Sequence, residues 1–151
     1  MIPDTHTKTK AMSFKELSNR IKVLSGGLLI DMIEDILNDL QQDIVQMNRE
    51  QLREGQKADE TYLPPYSLTT MRARETMGSL IALHDTGDFW NSFFSTASMG
   101  LLEIDAKDRK RDMLIEIWGE KILGLTPDNH KILLNKIAER LKVKIGEYLQ
   151  Q

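Results

Sequence analysis

The sequence predicts an α+β domain in which a long N-terminal helix and a C-terminal helix pack on a small antiparallel β-sheet. Three observations predict it. Over residues 28–54 no proline or glycine interrupts an apolar repeat at three- and four-residue steps, the signature of one uninterrupted helix. Over residues 101–118 the repeat shortens toward two, which is the spacing of strands. At Thr126-Pro127 a capping residue and a proline suited to a first helical turn open a second helical repeat that runs to the C-terminus.

Composition narrows the class of protein. With 151 residues the chain makes one domain, large enough to bury a core. A net charge of −3 argues against a protein devoted to gripping phosphate backbones, which is usually basic overall. The chain has no cysteine, which removes disulfides, thiolate nucleophiles and cysteine-based zinc sites and fits an intracellular setting. No apolar run nears the roughly 20 residues that span a bilayer, and the N-terminus lacks the layout of a signal peptide.

Taken in order, residues 1–12 carry almost no apolar surface and read as a flexible N-terminal arm, leaving 13–151 as the single domain. Ser13 and Glu16 form a capping box, with Met12 and Leu17 as its hydrophobic staple. A short amphipathic helix follows on Phe14, Leu17, Ile21 and Leu24, and Gly26-Gly27, residues able to take positive φ, are expected to end it. The long helix then presents Leu29, Ile33, Ile36, Leu40, Ile44 and Met47 on one stripe. Beyond Met47 it turns polar, so that end is expected to project into solvent or to meet a partner.

Pro64-Pro65 forces an extended path, and Ser67 is placed to cap a short helix through Leu68 and Met71 to Met77, stopped by Gly78. Residues 80–83 fit a strand or a helix approach equally well. Asp85 or Thr86 caps a helical turn through Phe89 and Trp90, whose spacing with Phe93 and Phe94 suits anchoring against the long helix. Leu102 and Ile104, then Met113, Ile115 and Ile117, alternate as two strands, with KDRKRD as the charged tip of a hairpin. Gly119 and Gly124 punctuate the exit. The last helix is expected to carry Leu134, Ile137, Leu141, Ile145 and Leu149 on its apolar stripe.

Few residues invite a chemical reading. Asp85-Thr86-Gly87 is the tripeptide that aspartic proteases use twice to hold a shared proton, but one copy needs a second chain, and such sites lie in β folds. A capped turn explains the same residues: oxygens accept from free N–H groups, and glycine permits the bend. His84-Asp85, with Asp88, resembles half of a metal-dependent hydrolase site, yet His6 and His130 lack ligand spacing to the pair. The sequence therefore implies no catalytic residue, no metal and no cofactor. Lys107, Arg109, Lys110 and Arg111 could touch DNA in a small regulatory or nucleic-acid-binding module, or serve as a solvated loop diluted by Asp105, Asp108 and Asp112.

One ordered series of short motifs goes further. Gly55, then Tyr62-Leu63-Pro64-Pro65-Tyr66-Ser67, Thr70, Gly78, Leu83, Thr86-Gly87, Phe89 and Ser92-Phe93, and later Leu123-Gly124-Leu125-Thr126 before the final helix, resembles the phage virion-morphogenesis and tail-completion proteins. The likeness runs from Gly55 to the C-terminus. The passage 118–123 is shorter than in many members and lacks their arginine-proline pair. The resemblance implies a non-enzymatic virion protein of the neck, assembled in the bacterial cytoplasm. Such a protein forms a homo-oligomeric ring that completes the tail or joins it to the head, touching connector and tail-tube proteins, with DNA only as cargo. Contact elements expected on that reading are the arm, the polar end of the long helix, the 107–111 tip (Lys107, Arg109, Lys110, Arg111) and the turn of Asp85, Thr86, Gly87, Asp88 and Trp90.

Overall fold

A computed structural model describes residues 13–67 and 81–151, so the expected arm and the helix expected after Ser67 lie outside the described residues. The fold is α+β, and among the described residues helices pack around one two-stranded antiparallel sheet. Helix α1, Phe14–Val23, begins as its capping box requires: the Ser13 hydroxyl accepts from the Glu16 N–H at 3.2 Å and the Glu16 carboxylate from the Ser13 N–H at 3.0 Å. The break after it comes at the expected Gly26-Gly27. Gly26 leaves helical space with φ −101 and ψ −150, an extended geometry, so the chain bends there without positive φ.

The helix expected over 28–54 is divided in two. Helices α2, Leu29–Asp39, and α3, Gln41–Arg53, flank Leu40 (φ −86, ψ 7). The N–H groups of Leu40 and Ile44 still reach the carbonyls four residues earlier, at 2.9 and 3.0 Å, so hydrogen bonding continues through the joint. Leucine is a good helix former, and no residue type marks the joint in advance.

The polar end of α3 divides: Glu50, Arg53 and Glu54 face solvent as expected, while Asn48 and Gln51 turn inward. Asn48 and Gln51 are 0% and 6% exposed. Asn48 donates to the Ile122 carbonyl and accepts from the Gly124 N–H, both at 3.0 Å. Gln51 donates to the Gly124 carbonyl at 2.9 Å, while its oxygen accepts from the Thr126 N–H at 2.9 Å and the Asn129 side chain at 2.6 Å. Each amide thus both donates to and accepts from the segment 122–126, which the two hold against α3. A buried amide is tolerated on such terms.

The sheet holds the largest correction. Strands β1, Phe93–Ser98, and β2, Leu101–Ala106, pair in register from Phe93↔Ala106 to Ser98↔Leu101. They turn at Met99-Gly100, with φ of 52 and 75, the two-residue geometry that matches strand twist and that glycine accepts readily. The second expected strand is instead helix α5, Arg111–Trp118. Its apolar residues satisfy a period near 3.6 as well as 2, with Leu114, Ile115 and Trp118 turned to the core. Asp108 starts it by accepting from the Lys110 N–H at 2.8 Å, so KDRKRD is a strand-to-helix connection and not a hairpin tip. Phe93 and Phe94 accordingly belong to β1, and helix α4, Asp88–Asn91, is a single turn.

Helix α6, Pro127–Gln150, opens as expected, with the Thr126 hydroxyl accepting from the Asn129 N–H at 3.4 Å and Pro127 in the first turn. Its apolar stripe keeps Ile137 and Leu141 against the core as expected, but in its second turn Leu133, 4% exposed, takes the place expected for Leu134, which is 63% exposed. The Gln51–Asn129 bond and the Lys136–Asp43 pair, at 3.1 Å, fix that phase. Two clusters make the core. One joins Val45, Leu52, Phe89, Trp90, Phe93 and Ile122; the other joins Ile36, Leu40, Ile44, Ala97, Leu125 and Leu133. Among the described residues no helix is long and apolar enough to cross a membrane.

Candidate functional site

The turn at 85–90 and the loop at 107–111, two separate contact elements in the sequence, meet on one surface. Lys110 and Asp85 approach to 3.8 Å, with side chains 37% and 65% exposed, a weak pair in solvent that nonetheless marks the junction. Between them lies an open cleft of about 280 Å³, with apolar walls from Tyr66, Leu83, Phe89 and Met113 and a polar rim that includes His84.

Each side of the cleft is built locally. The Thr86 hydroxyl accepts from the Asp88 N–H at 3.4 Å, and Gly87 takes φ +90, where a side chain would also sit 3.3 Å from His84 Nε2. The N-cap of the helical turn is Gly87 and not the expected Asp85 or Thr86, and the Thr86 hydroxyl supports the turn one residue earlier. Leu83 holds φ +56, an uncommon conformation for a branched residue, immediately before the His84-Asp85 pair. His84 packs edge-on against Trp90, with ring centroids 4.6 Å apart. Trp90, expected as a contact residue, is core: it is 8% exposed, its indole N–H donates to the Ala82 carbonyl at 3.0 Å, and its own carbonyl accepts from Arg49 at 2.9 Å.

The four cations of the loop are mostly engaged. Arg111 hydrogen-bonds to Asp105 and, at 2.6 Å, to Asp112, and these bonds raise its pKa further above the range in which it could lose charge. Partial burial acts to raise the pKa of Asp105, but hydrogen bonds from Arg111 and the Ala106 N–H outweigh it and hold the carboxyl below its ordinary value. Lys107 stands 4.9 Å from the centre of the Phe94 ring. Arg109 is exposed. A continuous basic face for phosphate does not result.

Among the described residues no three histidine, aspartate or glutamate side chains converge as metal ligands would, and His84, Asp85 and Asp88 share a turn without forming such a group. What the surface offers is contact area. Met99 and Leu101 at the hairpin tip are 91% and 74% exposed, and Met113 and Ile117 on α5 are 50% and 58% exposed. Gly100 is tied to the Glu34 carboxylate by its N–H at 3.0 Å, which fixes the tip. The hairpin tip was missed in the sequence, where only Gly100 after an alternating run could have suggested it. Comparison of the chain with protein-family models, with curated proteins and with solved structures finds no match.

Proposed function

We propose that the chain is a homo-oligomeric ring subunit of the phage neck, completing or terminating the tail and joining it to the head. The observation that carries the proposal is the exposure of Met99 and Leu101, 91% and 74%, on a tip anchored to α2. Large apolar groups held out of the core in this way belong at subunit contacts. Tyr62, in the segment that resembles the tail-completion proteins, is 60% exposed while Leu63 beside it is 2% exposed, so that segment both anchors and presents. The mechanism is complementarity of surfaces, with no catalytic step, and the partners are other copies of the chain and neighbouring connector and tail-tube proteins. The 85–88 turn and the 107–111 loop supply a polar rim around the contacts, and DNA passes through as cargo. The virion is then its place of residence.

Light scattering over a concentration series, with images of negatively stained particles, tests the proposal. Annular particles of one defined mass support it, and a strict monomer at high concentration contradicts it. The nucleic-acid reading draws less support, since Lys107, Lys110 and Arg111 are engaged locally. DNA binding that falls steeply with salt and disappears in Lys110→Glu would restore it.

A further inference from the structure

Two helices each carry an exposed apolar face edged by charge, and the two edges have opposite sign. On α5, Met113 and Ile117 lie one turn apart and are 50% and 58% exposed. Asp112 and Glu116, also exposed, run along one side of them. Arg111 already pairs with Asp112, whereas Glu116 has no partner among the described residues, so the uncompensated charge of that edge sits at Glu116.

On α6, Leu134 points outward and Ala138, one turn further on, is exposed as well. Lys131 lies one turn before Leu134 and Lys142 one turn beyond Ala138. Both lysines are exposed, and neither has a carboxylate partner among the described residues. At 3.6 residues per turn these four side chains fall within about a quarter of the helix circumference.

The two faces cannot meet inside one copy. Leu114, Ile115 and Trp118 seat α5 on the core cluster around Phe89 and Ile122. Leu133, Ile137 and Leu141 seat α6 on the other cluster, and the Asn129 and Lys136 contacts fix its rotation. With both helices seated, Ile117 and Leu134 still face solvent.

We propose that α5 of one copy packs on the 134–138 face of α6 in the next copy, with Glu116 set against Lys131 or Lys142. This inference rests on the homo-oligomer reading above and gives it a direction. An apolar ridge with an acidic edge is complemented by one with a basic edge, and each of these helices offers that to the other. Self-pairing fits worse, because α5 on α5 brings acidic edges together and α6 on α6 brings lysine edges together. The contact is therefore heterologous, the kind that builds rings. Two copies would leave one face of each uncovered, whereas in a closed ring every copy uses both. About two helical turns on each side make a small contact, and its repetition around a ring offsets that.

The chain has no cysteine, so full-length Ile117→Cys chains can be mixed with Leu134→Cys or with Ala138→Cys chains and oxidised. In at least one mixture, a covalent dimer of one chain of each kind should form faster than when Gln46→Cys, exposed on α3, replaces Ile117→Cys. In parallel, Glu116→Lys should raise the concentration needed for half-assembly about five- to tenfold, and Lys131→Glu with Lys142→Glu in the same chain should recover it. Circular dichroism confirms that each variant keeps its fold. Mixed dimers no faster than the control, or a Glu116→Lys chain that assembles like the unsubstituted one, overturn the proposal, and the ring reading stands if the unsubstituted protein still forms closed particles. An unsubstituted protein that stays monomeric overturns both.

Discussion

Replacing Asn48 by alanine isolates the bond between α3 and the segment at 119–126. The side chain is 0% exposed and bonds both the Ile122 carbonyl and the Gly124 N–H at 3.0 Å. Its removal leaves a buried carbonyl and a half-buried N–H unpaired, the first costing about 1–3 kcal/mol and the second less, so the loss should be about 2–4 kcal/mol. Against a total stability of about 5–15 kcal/mol, that is a large fraction. Urea unfolding followed by far-ultraviolet circular dichroism, at one low protein concentration so that assembly does not contribute, measures it. Asn48→Leu separates hydrogen bonding from volume, because it refills the space without satisfying either group and should be nearly as destabilising. The exposed Gln46→Ala is the control and should shift stability by about 0.5 kcal/mol or less. A loss below about 1 kcal/mol in Asn48→Ala, or recovery in Asn48→Leu, would refute the reasoning.

Leu133→Ala should cost about 2–5 kcal/mol by denaturant titration, and Leu134→Gln less than about 0.5 kcal/mol, since only the first is buried. Equal effects would contradict the burial of Leu133 in place of Leu134. Asp105 has a folded-state pKa below its ordinary value, so its contribution is present above about pH 4 and is lost as pH falls through the folded value. Stability measured between pH 6 and 3 should therefore fall more steeply in the unsubstituted protein than in Asp105→Asn. Met99→Asn should raise stability by about 0.5–1 kcal/mol, because asparagine tolerates the φ of 52 better, while weakening assembly through loss of the exposed methionine. Thermal unfolding and light scattering on the same sample read the two effects separately.

Local signals carried much of the architecture. The Ser13–Glu16 box, the Thr126-Pro127 start and the α+β class are written in residues whose roles are settled within one turn of chain. What escaped was decided between distant segments. Asn48 and Gln51 look like solvent residues until the carbonyls and N–H groups of 122–126 come to meet them, although their positions four and seven after Ile44 continue the apolar stripe. The run Met113 to Trp118 fits helix and strand alike, and Asp108 decides it by bonding the Lys110 N–H. Leu133 and Leu134 are adjacent, so α6 could bury either until α2 and α3 set its rotation. In the candidate site, the Gly87 turn was legible, whereas the meeting of Lys110 with Asp85 depends on α5 being a helix.

Solution mass over a wide concentration range, joined to particle images, bears most directly on the proposed function. A subunit of the phage neck should reach one closed mass, appear as annular particles, and lose that assembly when Met99 and Leu101 are replaced by polar residues with the fold retained. A protein that stays monomeric at the highest concentration, or whose assembly is indifferent to both replacements, would contradict the account.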